Sequence, residues 1–102
     1  MSIAYHPAFS PIAAGLKKLS AGTTSGRVEI GELGNLVVIY NASDAGIHVR
    51  LGDITVEATT TDFLIPAGEW FTLAKNYDQT HIAAEAESGL SKDIYFTPGF
   101  AG

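Results

Sequence analysis

Apolar and polar side chains alternate with a period of two, segment after segment, from Arg27 almost to the C-terminus. RVEI sets Val28 and Ile30 against Arg27 and Glu29. IHVRL sets Ile47, Val49 and Leu51 against His48 and Arg50, and ITVEA sets Ile54, Val56 and Ala58 against Thr55 and Glu57. WFTLA, HIAAEA and DIYFT repeat the pattern. Only a strand places successive side chains on opposite faces; a helix needs a period near 3.6. LVVIY is apolar throughout and reads as a central strand covered on both sides, and FLI is a short strand ending at Pro66. The spacing predicts about eight strands in half-buried antiparallel sheets. Their expected core is Val28, Ile30, Val38, Val49, Leu51, Val56, Phe71, Leu73, Ile82, Ala84, Ile94 and Phe96.

The residues between these segments agree. Gly52-Asp53 has the Gly-first form of a type II′ hairpin joining IHVRL to ITVEA, which requires positive φ at Gly52. Pro66-Ala67-Gly68 reads as a turn, and Ser88-Gly89 falls where the chain must reverse before its last strand. Short strands at near-regular spacing predict an all-β fold: an antiparallel β-sandwich, either jelly-roll or Ig-like.

Residues 1–25 differ. Ile3, Tyr5, Phe9, Ile12, Leu16 and Leu19 fit no single strand, and Pro7 and Pro11 disfavour a helix before Ile12. The segment reads as an extended N-terminal arm with room for a short strand near its end, or for a short helix over Ile12–Leu19. It precedes a sandwich domain over 26–102, which is expected to fold without it. The apolar side chains of the arm have no place in the sandwich. Ile3, Tyr5, Phe9 and Ile12 are therefore expected at an interface with a neighbouring subunit, together with Trp70 and Tyr95, which the alternation turns outward.

Charge and composition exclude several function classes. The net charge is −5, and the six basic residues are scattered, so neither nucleic acid nor an anionic membrane is an expected partner. No apolar run approaches the ~18 residues of a membrane span. The first twenty residues lack the basic and long apolar regions of a secretory signal. With no cysteine there is no disulfide and no thiolate metal site. Charged residues make up only 17% of the chain, against a typical ~25%, which suits a surface covered by a partner.

No residue set carries chemistry clearly. IPAGEW has the PAG turn of cupin jelly rolls, but the paired H-x-H ligand position reads His48-Val49-Arg50, and an arginine does not ligate a metal. His81 lies near Asp78, and Ser43 lies beside Asp44, without a nucleophile-elbow pattern. Asp53 and Glu57 straddle a turn, and the loop aspartates Asp44, Asp53 and Asp78 form no calcium-loop run. The expectation is a protein that is not an enzyme and uses no cofactor. Trp70 keeps a carbohydrate- or protein-binding sandwich among the alternatives.

From Asn35 onward the chain resembles small proteins encoded among the virion structural genes of tailed bacteriophages. The likeness lies in VVIYNASDAGIHVRLGD, then ATTTDFLIPAG, then THIAA and the closing YFTPG, about two-thirds of the chain. The resemblance implies a non-enzymatic structural protein located in the virion. Its first expected role is capsid decoration, with the major capsid protein as partner and a homo-oligomer, such as a trimer, as the assembled form. A neck or tail adaptor is the alternative within the particle.

Overall fold

In the computed structural model, residues 9–101 are described, and the alternating segments become strands of two antiparallel sheets. The strands are β1 (Phe9–Pro11), β2 (Lys17–Ala21), β3 (Gly26–Glu29), β4 (Leu36–Asn41), β5 (Ile47–Gly52), β6 (Phe63–Ile65), β7 (Trp70–Ala74), β8 (His81–Ala86) and β9 (Lys92–Ala101). The described residues contain no helix. Sheet A runs β1-β9-β4-β7, with β2 also on β9, and sheet B runs β3-β8-β5-β6.

The pairing decides between the two expected topologies. β2 pairs with β9, β3 with β8, β4 with β7 and β5 with β6. This first-with-last nesting is one long hairpin rolled into two layers, which is a jelly roll and not the Ig-like arrangement. Between the layers lie Val37, Ile39, Ile47, Ile65, Ile82, Ala84, Ile94 and Phe96, none more than 0% exposed. Val49 and Ile30 complete this core, and Val28, Leu51, Phe71 and Leu73 pack against it.

Residues 9–25 of the expected arm supply β1 and β2, both on β9. Leu19 packs against the core and Ala21 is buried within it. The chain turns out of the sheet between the two strands, without a helix. Pro98 explains where that break falls. It lies in the middle of a central strand, where its missing N–H would leave a gap in a ladder. Ala42 N donates to Asp93 O, so the odd residues of β9 face β4 and the even ones face β1 and β2. The proline nitrogen therefore points at the gap between β2 and β1, while its carbonyl accepts from Ile12 N at 3.0 Å.

Three expectations need correction. ITVEA is not a strand: after β5 the chain crosses the outer face of sheet B as an irregular strap over residues 53–62 before entering β6. Val56 and Ala58 are buried, but on the outward-facing Ala83, and Ile54 is 64% exposed. The type II′ hairpin at Gly52-Asp53 goes with it, because Gly52 ends β5 opposite His81 and has no positive φ. Finally, Val37 and Ile39, not Val38, point inward from β4. The turn before β7 forms as expected: Glu69 N donates to Pro66 O, with Gly68 at φ 75°.

Candidate interaction surface

The enzyme-like residues occupy structural positions. His48 lies on the outer face of sheet B under the strap, with Nδ1 2.9 Å from Asp62 O and Nε2 3.0 Å from Glu87 Oε2. Its neighbour Arg50 donates from Nε to Asp62 Oδ1 at 2.9 Å. The H-x-H position thus fastens the strap to β5. His81 Nδ1 and the Thr80 hydroxyl are hydrogen-bonded at 2.8 Å, and the Ser43 hydroxyl donates to Asn41 Oδ1 at 2.7 Å. Asp44 meets Lys92 Nζ at 2.6 Å, and Asp53 accepts from Thr55 N at 2.8 Å. Among the described residues, no three His, Cys, Asp or Glu side chains gather as a metal site would require.

Lys75 is the one buried cation of these residues, 4% exposed. Burial lowers its pKa, against the attraction of Glu32 and Asp78. A perturbed lysine in a cleft would suggest catalysis. Here Nζ donates to Glu32 O at 3.0 Å and Asn76 O at 3.4 Å, closing off the loop after β7. A shallow cleft of about 280 Å³ lies elsewhere, between the turn at Ile12 and the Glu29–Gly31 segment, with Lys17 and Glu29 its charged groups.

The outer face of sheet A offers a different kind of site. Cross-strand partners share a face, and the register aligns Tyr95 with Tyr40 and Tyr40 with Trp70 in one row across β9, β4 and β7. Tyr40 and Trp70 stack with ring centroids 4.4 Å apart and planes 25° apart. Tyr40 and Tyr95 lie nearly parallel at 6.5 Å. Trp70 is 64% exposed. Beside this row stand Leu36, Val38, Thr72, Ala74 and Thr97, so the face carries no formal charge across β4 and β7. At its β2 margin Lys18 and Asp93 pair at 3.7 Å. The strap covers the outer face of sheet B around His48 and Ala83; no described segment covers this one.

Three of the expected interface residues lie on this face. Trp70 and Tyr95 belong to the row, and Phe9, in register with Ala101, lies on the same face. Ile12 does not join them: it lines the cleft beside Ile30 and Pro98. Ile3 and Tyr5 lie outside the described residues. Tyr40 was hidden within LVVIY, where an unbroken apolar run masks which residues face outward. Its placement opposite Trp70 emerges only from the β4–β7 register.

The stacking also limits what the row can bind. A sugar platform presents ring faces to the ligand, whereas Tyr40 and Trp70 turn faces toward each other. What remains is a stiff ridge of aromatic edges on a neutral sheet, a surface suited to burial against another protein.

No family model and no curated protein matches the chain. Among solved structures, it is similar to the hydroxypropylphosphonic acid epoxidase from S. wedmorenis in complex with fosfomycin, with TM-score 0.50 and 15% identity. The match covers 81% of this chain and 41% of the epoxidase, so this chain spans about two-fifths of that protein, and the likeness is one of fold. The Tobacco streak virus coat protein is also similar, with TM-score 0.39 and 12% identity over 89% of this chain and 83% of that one.

Proposed function

We propose that this chain is a non-enzymatic structural component of a bacteriophage particle: a decoration protein seated on the capsid through the outer face of sheet A. The observation that carries the reading is an asymmetry. Among the described residues, the strap covers the outer face of sheet B around His48 and Ala83, while the outer face of sheet A is uncovered, carries no charge across β4 and β7, and is crossed by the Tyr95–Tyr40–Trp70 row. Desolvating the β4–β7 part of that face removes no charge from water, and stacked aromatics are already ordered before contact. The sequence resemblance of Asn35 to the C-terminus to virion proteins supplies the particle as the setting.

Quantitative mass spectrometry of purified virions tests this. A head-decoration role expects hundreds of copies per particle, while tens or fewer would move the protein to the neck or tail. Trp70→Ala and Tyr40→Ala should each weaken particle binding by roughly 30-fold or more, the scale of an interface hot spot. Full binding by both variants would remove the sheet A face as the contact.

A further inference from the structure

Five strands of this sandwich lie on sheet edges, and four of them carry features that discourage pairing with another chain. β1 has three residues and ends in Pro11; β2 begins with Lys17 and Lys18. β3 presents Arg27 and Glu29, and β6 has three residues followed by Pro66. β7 is the exception. Its five residues, Trp70–Ala74, include no charge and no proline, and among the described residues they pair only with β4.

The edge is also correctly poised. Asn41 N donates to Glu69 O and Lys75 N to Asn35 O, so the odd-numbered residues around β7 are turned to β4. By alternation, the N–H and C=O groups of Trp70, Thr72 and Ala74 point away from the sheet.

We infer that β7 is a self-association edge, and that two copies of this chain join by antiparallel β7–β7 pairing about a twofold axis through Thr72. The sequence of the edge is what selects a second copy. In that register Thr72 meets Thr72, Phe71 meets Leu73, and the largest residue, Trp70, meets the smallest, Ala74. The outward-pointing groups pair without remainder, giving about six backbone hydrogen bonds from three hydrogen-bonded residue pairs. A shift by two residues either way loses a pair at one end and sets Glu69 against Leu73 or Lys75 against Phe71. The pairing would also bring a second copy beside Phe63, which packs edge-to-face on Phe71 and is 46% exposed. Such an isologous contact closes on itself, giving a dimer and not a trimer.

This inference concerns the edge, not the face, and stands or falls without any particle. Light scattering and sedimentation of the full chain should give twice the 10.7 kDa chain mass. Because the chain has no cysteine, a single substitution gives a unique cross-link. Hydrogen-bonded antiparallel partners lie ~5.5 Å apart between Cα atoms, within reach of a disulfide. Mild oxidation of Thr72→Cys should therefore give a covalent dimer. Ala74→Cys, whose two copies would be displaced by four residues or ~14 Å along the strands, should not. Thr72→Pro, which removes an N–H the β4 ladder does not use, should give a monomer. Amide hydrogen exchange on the unmodified protein provides a check independent of any variant: Thr72 and Ala74 should gain protection with rising concentration. A monomer or trimer at every concentration, equal cross-linking of Thr72→Cys and Ala74→Cys, or unprotected amides at both positions would overturn the inference.

Discussion

Gly52 and Val56 approach so closely that a Cβ added to the glycine would lie 2.8 Å from Val56 Cβ and Cγ2. The glycine is there because the strap folds back over the end of β5, and Val56 needs the space a side chain would fill. Gly52→Val should therefore destabilise the protein by about 1–3 kcal/mol through overpacking. Combining it with Val56→Ala should recover part of that loss. A denaturant double-mutant cycle measures this, and strictly additive effects would point to backbone strain instead.

The same stretch shows why part of the fold was legible in the sequence and part was not. Alternation correctly placed Val49, Leu51, Phe71, Leu73, Ile82, Ala84, Ile94 and Phe96 on inward-facing positions, because each of those strands has a dry side and a wet side. ITVEA alternates for another reason: an extended strap lying on the outside of a sheet also has one dry side, here against Ala83. Period two reports burial of alternate residues, not membership of a ladder. LVVIY failed differently. With apolar residues on both faces its parity is unreadable from sequence, so the expected core takes Val38 where the structure turns Val37 and Ile39 inward and Tyr40 outward. Trp70 and Tyr95 were found because polar or apolar neighbours fixed their parity.

Asn41 is the polar joint of the core. It is fully buried, and its Nδ2 donates to Ala45 O at 2.8 Å and Ile65 O at 2.9 Å, linking β4 to the β4–β5 connection and to β6 in the opposite sheet. Its Oδ1 accepts from Ser43 N at 2.9 Å. Asn41→Ala should cost about 2–4 kcal/mol, since it leaves several buried backbone groups short of a partner. Asn41→Asp should cost more at neutral pH, because a carboxylate would face two carbonyl oxygens. Urea melts of the two variants give the comparison, and an Asp variant as stable as the Ala variant would refute this account.

Asp62 gives the strap a pH dependence. Burial disfavours its charged form, but the Thr59 N–H, the Arg50 guanidinium and the Thr59 hydroxyl together hold its pKa below the ordinary 3.8. A carboxyl with a lowered folded pKa contributes stability that is present above its unfolded pKa and lost as pH falls through the folded value. Asp62→Asn should therefore be less stable than the parent at pH 7. The gap should narrow as pH falls below about 4. Melting temperatures at both ends of that range test it, and a gap independent of pH would assign the loss to geometry alone.

Removing residues 2–20 should abolish cooperative folding, contrary to an arm that can be cut away. The deletion takes out β1 and all of β2 but Ala21, and so strips β9 of its partners on the edge away from β4 at residues 93–96 and 99–101. It also removes Leu19, which packs against the core above Ile94 in the register. Burying one such side chain contributes roughly 1.5–3 kcal/mol, and the freed edge would be the even-numbered side of β9, until then hydrogen-bonded along most of its length. A domain of this size holds only about 5–15 kcal/mol in total, so losing a strand and opening the core together exceeds what the remaining chain can sustain. Circular dichroism should show a broad, non-cooperative transition for the truncated chain and a single sharp one for the full chain. If the truncated chain melts sharply within a few degrees of the parent, β1 and β2 are an addition to a sandwich that is already complete at residue 26.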